Sequence, residues 1–251
     1  MLTHLITEGK TNIMQRIAKV LSRAGIVSRR GAEKLVLAGS VSVNGSVIND
    51  PATKVTLDDE IMVNGRLVDP PEKTRLWRFH KPTGLVTTNF DGKGRFTVYD
   101  YLPKNLPKVM SIGRLDIASE GLLLLTNDGE LKRHLELPSL GFVRKYRVRV
   151  KGIHKEVLLD KLRAGIIINR EKFRPMVVTL VRINGANVWY NLEITEGRNR
   201  EIRRAFDKIN MSVNRLIRVS FGAFELGSLA RGRIEEIPTK FLERNLKAVR
   251  S

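Results

Sequence analysis

Ser111-Ile112-Gly113-Arg114-Leu115-Asp116-Ile117-Ala118-Ser119-Glu120-Gly121-Leu122-Leu123-Leu124-Leu125-Thr126-Asn127-Asp128-Gly129 is the stretch that decides how the chain is read. Four consecutive leucines between Gly121 and the turn cluster Thr126 to Gly129 predict a short strand buried on both faces. An arginine, an aspartate and a Ser-Glu-Gly turn stand just before it, so a polar loop runs into the middle of a core. Burying a carboxylate is costly unless it is paired. Asp116, this close to the leucines, therefore calls for a cationic partner or a task. The commonplace alternative is a solvated turn aspartate.

The rest of the chain bounds the chemistry. With 251 residues, one large or two modest domains are expected, and 42% hydrophobic residues suffice for real cores. The absence of cysteine excludes disulfides, zinc-thiolate sites and thiol catalysis. His4, His80, His134 and His154 are too scattered to suggest a metal site, so no metal is expected. No apolar run approaches the ~20 residues a bilayer needs. Residues 1–13 contain Glu8 and lack a charged region followed by an apolar one, so a signal peptide is not expected either. A cytoplasmic location follows as the expectation.

The formal charge of +19 points to a polyanion, most simply nucleic acid. It is unevenly spread. Residues 14–72 hold 8 Lys/Arg against 7 Asp/Glu, whereas 73–251 hold 36 against 18. Within 14–38, however, Arg16, Lys19, Arg23, Arg29, Arg30 and Lys34 face only Glu33. The N-terminal region is thus basic on its helices and acidic further on.

Residues 1–13 show no periodicity and read as a tail, with Met14 a possible alternative start. Gln15 to Ala24 predicts a helix with Ile17, Ala18, Val20 and Leu21 on one side, ended by Gly25. Ser28 is the expected N-cap of a second helix through Leu37. Val41 to Ile48 alternates around Asn44-Gly45, a type I′ hairpin signal, and Ile61 to Val63 predicts another strand. Asp69-Pro70-Pro71-Glu72-Lys73 is the clearest linker. It divides the chain into a domain at 14–72 and a larger one at 73–251, which opens with a strand from Leu76 to Phe79.

In the larger domain, Lys81-Pro82-Thr83-Gly84 reads as a turn and Thr87 to Arg95 as a cationic loop. The loop's Gly-Lys-Gly lacks the Gly-x-x-x-x-Gly-Lys-Ser/Thr pattern of a phosphate-binding P-loop. A short helix is expected from Glu130 to Leu137, stopped by Pro138, and Arg144 to Val150 alternates with Tyr146, Val148 and Val150 inward. Lys155 to Ala164 predicts a helix, and Ile166 to Ile168, Met176 to Ile183 and Val188 to Thr195 predict strands. Ile202, Ala205, Phe206 and Ile209 fall at helical spacing, so a helix starts near Glu201. Helix N-termini repel cations by ~0.3–1 kcal/mol each at exposed sites. Arg198, Arg200, Arg203 and Arg204 clustered there argue for anions close by.

Gly113-Arg114-Leu115-Asp116 followed by Ser119-Glu120-Gly121, the leucines and Thr126-Asn127-Asp128-Gly129 closely resembles the catalytic motif of the RsuA/RluB-type ribosomal RNA pseudouridine synthases. Two further motifs follow in the family's order: the basic-x-Tyr of Arg144-Lys145-Tyr146, and Glu196 to Phe206 with its Arg-x-Ile-Arg at Arg200 to Arg203. The resemblance implies that Asp116 is the catalytic aspartate and that Tyr146 stacks on the uracil with its hydroxyl near the base. It also implies that Arg203 pairs with Asp116, that Leu216 floors the pocket beside Arg114, and that the loop bearing Lys93 and Arg95 lies over the RNA. Arg198, Arg200 and Arg204 would meet phosphates. Ile217 is adjacent to Leu216 and equally apolar, and Ala223 stands where relatives often have proline.

The pattern from Arg16 through Lys19, Gly25 and Ser28 to Arg29-Arg30 is similar to the S-four-type RNA-binding module. It implies that Arg16, Lys19, Arg23, Ser28, Arg29, Arg30 and Lys34 contact phosphates of structured RNA, contacts that position rather than specify.

Together these imply an α+β protein, with a small S-four-like module joined to a catalytic domain built on a mostly antiparallel sheet. The implied reaction is uridine to pseudouridine in ribosomal RNA, the large-subunit branch being favoured. The partner is a stem-loop with a flipped uridine, bound by a monomer that uses no cofactor. Two other classes stay open at this stage. One is a non-catalytic ribosome-assembly factor. The other is a glycosidase-like enzyme, for which paired carboxylates would be expected.

Overall fold

The computed structural model describes residues 14–56 and 58–248; the expected tail, 1–13, lies outside the described residues. The chain forms two compact units. One takes residues up to Arg75 together with 105–110 and 127–131; the other takes the remainder.

In the first unit, β1 (Gln15–Arg16) precedes α1 (Ile17–Arg23) and α2 (Arg29–Leu37). The first helix starts later than its periodicity suggests because Gln15 and Arg16 are extended, paired with Val55 and Lys54. The first helix buries the face read from its spacing, and Ile17, Ala18, Val20 and Leu21 pack with Ala32 and Val36 of α2 and with Val41, Val55, Ile61 and Val63. Ser28 caps α2, its hydroxyl accepting from the Gly31 amide at 3.1 Å. Strands β2 (Val41–Val43), β3 (Ser46–Val47), β4 (Lys54–Val55), β5 (Ile61–Val63) and β6 (Arg66–Leu67) follow. Asn44 and Gly45 adopt φ of 51° and 80° between β2 and β3, the left-handed pair a type I′ turn requires. Asn64-Gly65 repeats the device between β5 and β6, a strand the sequence pattern did not announce.

The second unit is built on nine strands: β7 (Leu76–Lys81), β8 (Met110–Ile112), β9 (Glu120–Thr126), β10 (Arg144–Lys151), β13 (Val177–Asn184), β14 (Asn187–Ile194), β15 (Ser212–Phe221), β16 (Phe224–Glu225) and β17 (Ile234–Glu236). A separate ribbon pairs β11 (Ile167–Ile168) with β12 (Glu171–Lys172). The helices are α3 (Val98–Tyr101), α4 (Gly129–Glu136, of which 129–131 belong to the first unit), α5 (Glu156–Arg163), α6 (Glu201–Lys208) and α7 (Thr239–Ala248). The sheet runs β13-β14-β10-β15-β9-β7-β17. All neighbours along it are antiparallel except β9 and β15. The architecture is therefore α+β on a mostly antiparallel sheet.

The leucine run is the centre of that sheet: every residue of β9 is buried. Gly121 lies inside the strand rather than before it, at φ +106°, and an ideal Cβ there would stand 2.3 Å from the Arg218 carbonyl oxygen of β15. On β10, Tyr146, Val148 and Val150 turn inward onto Leu159 and Leu162 of α5 and Ile202, Ala205 and Phe206 of α6. Among the described residues, no helix is long and apolar enough to cross a membrane.

Candidate active site

The loop between β8 and β9 carries Asp116, and its backbone is tied at several points. Lys81, the fully buried last residue of β7, donates from Nζ to the carbonyls of Pro82 (3.0 Å), Asp116 (3.2 Å) and Ser119 (3.0 Å). The Thr87 hydroxyl donates to the Leu115 carbonyl at 2.9 Å, and the Gly113 amide donates to Glu136 Oε1 at 2.6 Å. Arg203 reaches from α6, donating Nη2 to the Ala118 carbonyl (3.0 Å) and Nη1 to the Val213 carbonyl (2.8 Å). The chain is thus pinned on both sides of Asp116, which is itself half-buried.

Burial lowers the Lys81 pKa to about 8, against the pull of Asp116 and Glu120. It lowers that of Arg203 as well, helped by the charge of Arg200, while Asp116 favours the charged guanidinium. Asp116 and Arg203 are therefore electrostatic neighbours. The arginine's hydrogen bonds nevertheless go to carbonyls, one of them two residues beyond Asp116, rather than to the carboxylate.

Asp116 opens on a cavity of about 590 Å³, whose walls include Arg114, Tyr146, Leu216, Arg198 and Arg200. The β10–β15 register explains the convergence: Tyr146 lies opposite Arg218 and Val148 opposite Leu216, so alternation brings Tyr146, Leu216 and Arg218 to one face. Leu216 lines the cavity, whereas Ile217 alternates away from it. Arg144 and Arg218 complete the wall. Arg144 donates to the carbonyls of Phe142 (3.2 Å) and Thr195 (3.3 Å); Arg218 donates from Nε to the Leu122 carbonyl (2.7 Å) and leaves Nη2 without a partner. Ligand sites typically span about 300–1,000 Å³, so the space suits a nucleotide.

Residues 75–208, more than half of the chain, match the family model described as RNA pseudouridylate synthase. The chain belongs to this family. Residues 15–61 match the S4 domain. An uncharacterized RNA pseudouridine synthase of Rickettsia prowazekii is 44% identical over 233 residues, covering 93% of this chain and 98% of that protein. The ribosomal large subunit pseudouridine synthase B of Bacillus subtilis is 38% identical, over 89% of this chain and 92% of its own. A crystal structure of a pseudouridylate synthase matches with a TM-score of 0.63 and 27% identity, covering 92% of this chain and 99% of its own. The protein is thus an RNA pseudouridine synthase, an isomerase with an S4 RNA-binding domain.

Within this synthase the basic residues singled out from the sequence separate into two groups. Lys19 pairs with Glu130, and Arg23 with Asp128 at 3.3 Å, all within the first unit. Arg95 is clasped by Asp91 at 2.7 Å. Arg198 and Arg204 share Glu171, at 3.2 and 2.7 Å, and both lie over the Phe173 ring. The arginine cluster at the start of α6 is therefore met largely by protein groups. Arg16, Arg29, Arg30, Lys34, Lys93, Arg114 and Arg200 have no carboxylate within salt-bridge distance among the described residues. Arg200 is the N-cap of α6, at φ 48°.

Lys81, Arg218 and Glu201 were missed by sequence reasoning, and Arg144 entered it only as the basic residue of the basic-x-Tyr pattern. Lys81 had a signal, since it continues the inward alternation of Phe79 into what reads as a turn. Glu201 lies buried at the start of α6, with Oε2 accepting from the Arg198 amide (3.0 Å) and Oε1 without a partner. Burial, and then the neighbouring Glu196 carboxylate, push the Glu201 carboxyl up from the ordinary range.

Proposed function

We propose that the enzyme isomerises a uridine of ribosomal RNA to pseudouridine with Asp116 as its essential carboxylate. The observation that carries this is the meeting of Asp116, Tyr146 and Leu216, from three separate segments, on one cavity walled by arginines. The reaction breaks the ribose C1′–N1 bond, turns the uracil, joins C1′ to C5, releases the C5 proton and takes up a proton at N1. It conserves atoms and electrons, so no cofactor is required. Asp116 serves either by adding covalently to the ribose or base, or by removing a sugar proton; both routes use its ionised oxygen. The target base is flipped out of the stem-loop, because its glycosidic bond is unreachable within a helix. Tyr146 stacks on it with its hydroxyl near C5, Leu216 forms the floor, and Arg203 holds the loop that presents Asp116.

Residues 14–72 anchor the RNA, with Arg16, Arg29, Arg30 and Lys34 the cations left for phosphates. Residues 73–251 form the catalytic domain, where Arg114, Arg200 and Lys93 take the same part. Lys19, Arg23, Ser28, Arg95, Arg198 and Arg204 act through the partners that orient their neighbours. The enzyme works as a monomer. The Bacillus subtilis relative's name favours large-subunit RNA as the substrate.

The test is tritium release from rRNA labelled at uracil C5. Asp116→Asn, nearly isosteric, should melt and bind rRNA like wild type yet release no tritium, and Tyr146→Phe should bind but lose most turnover. Arg203→Ala should be severely impaired, and combining it with Asp116→Asn should cost nothing more, because residues that act as a unit are not additive. An Asp116→Asn enzyme that still isomerises uridine ends this reading.

A further inference from the structure

Alternation that sends Tyr146, Leu216 and Arg218 to the cavity sends Arg147, Arg149 and Arg215 to the opposite face of the sheet. The ladder register there lines up Arg182 of β13, Trp189 of β14, Arg149 of β10 and Arg215 of β15 in one row across four strands. Arg147 stands two residues along β10 on the same face, opposite Asn191. All four guanidiniums lie over the Trp189 ring, at 5.5 Å (Arg147), 5.8 Å (Arg149), 5.9 Å (Arg182) and 6.0 Å (Arg215).

Carboxylates answer little of this charge. Arg215 pairs with Glu120, and Arg149 donates to the Asn214 side chain at 2.9 Å. Arg147 and Arg182 are exposed, with no salt-bridge partner among the described residues. Like charges directly opposite in a sheet are destabilising, and Arg149 faces Arg215 directly. The indole offsets part of the repulsion through its ring face. It is itself buried, so it acts as a plate that holds the guanidiniums rather than as a platform for a base. What such a plate presents is a row of forked donors, suited to oxyanions spaced along a chain.

We propose that this arginine row binds the phosphate backbone of RNA at a second site, on the sheet face opposite the catalytic cavity. The inference rests on the enzyme's acting on a long RNA. The contact is blind to sequence, since phosphates carry none, and it adds affinity for RNA that extends beyond the modified stem-loop.

The experiment uses the full chain and a large-subunit rRNA transcript, with affinity measured by filter binding as salt is raised. Replacing two phosphate contacts in Arg147→Gln/Arg182→Gln should lower the slope of log affinity against log salt by about 1.4–1.8 and the affinity by about tenfold at moderate salt. KM for the transcript should rise by a similar factor with kcat nearly kept. The charge-preserving pair Arg147→Lys/Arg182→Lys should retain the wild-type slope. Unchanged affinity and slope in the glutamine pair overturn the proposal, as does an equal loss in the lysine pair. Unchanged RNA affinity with altered sedimentation would assign the face to a second copy of the chain, which also overturns it. Tritium release by the wild type on the same transcript reports on the substrate reading separately: its absence would sink that reading while leaving the slope comparison to decide the arginine row.

Discussion

Replacing Gly121 by alanine should damage this enzyme far more than one methyl group suggests. The new Cβ would stand 2.3 Å from the Arg218 carbonyl oxygen and 2.6 Å from its amide nitrogen, both backbone atoms that cannot swing aside. Strand β15 would have to retreat from β9. The two meet at only two residue pairs, Ile217 with Glu120 and Arg218 with Gly121, so a small retreat strips the junction. Holding an L side chain at φ +106° costs about 1–3 kcal/mol, and each backbone hydrogen bond lost adds about 0.5–1.5 kcal/mol. The sum is about 3–5 kcal/mol. At roughly 2–4 °C per kcal/mol for a chain of this size, Tm should fall by about 10 °C. Gly113→Ala is the matched control, because its φ is also positive (+66°) but no atom lies within 4 Å of the added Cβ. That variant should bear only the left-handed penalty, about 1–2 kcal/mol. The displaced β15 carries Leu216 and Arg218, so Gly121→Ala should also lose more tritium release than its folded fraction explains. The assay is a thermal melt of both variants followed by turnover at a temperature where each is folded. Melting points for the two alanines within about 2 °C of each other would refute the close-approach argument.

Lys81→Met keeps the volume but leaves the Pro82 and Ser119 carbonyls without their donor, each worth about 1–3 kcal/mol when buried and unpaired, while the Asp116 carbonyl keeps the Ser119 amide at 3.0 Å. Relief of the buried ammonium offsets part of this, so a net loss of about 2–3 kcal/mol in urea unfolding is expected, with a larger fall in turnover as the Asp116 loop relaxes. The folded-state pKa of Lys81, about 8, lies below its ordinary value of 10.5; the unfolded chain therefore binds more protons between the two. Wild-type stability should gain over that window as pH rises, and the gap to Lys81→Met should widen from pH 7 to pH 10. Glu201 has the opposite sign: its raised carboxyl binds more protons folded than unfolded, so stability is lost as pH climbs above the ordinary glutamate range. Glu201→Gln should accordingly melt like wild type at pH 5 and above it at pH 8; a variant less stable at both would discard the account of a raised Glu201 carboxyl.

What the sequence made legible was local and periodic. The leucine run, the inward stripe of Tyr146, Val148 and Val150, and the buried face of α6 each repeat a period that one segment imposes alone. The Asn-Gly turns were legible because they demand left-handed backbone whatever surrounds them. What could not be read depends on chain brought from elsewhere. Gly121 reads as the edge of a strand, and only the approach of β15 shows why it must be glycine inside one. Arg203 was expected on the Asp116 carboxylate, but its height on α6 brings it to the Ala118 carbonyl. Lys19, Arg23 and Arg204 read as free cations because their carboxylates lie far along the chain. Strands of two or three residues, such as β6, β16 and β17, are too short to carry a period.

The same sorting explains how so basic a protein can hold in place Asp116, the carboxylate we propose as essential. An aspartate surrounded by mobile cations would exchange partners and lose its direction. Here the cations whose charge acts on Asp116 are occupied elsewhere: Lys81 by three carbonyls and Arg203 by two. They act on Asp116 through charge and through the backbone they pin, while the side chain keeps its freedom toward the cavity. Fixed dipoles and charges need no reorganisation when the reaction begins, which is where preorganised sites gain their rate. The arginines that lack such anchors, Arg114 and Arg200 at the cavity wall and Arg147 and Arg182 on the far face, are the ones with charge left for phosphates. In this enzyme the hydrogen-bond partner of an arginine, more than its place in a motif, separates those that shape the site from those that can hold RNA.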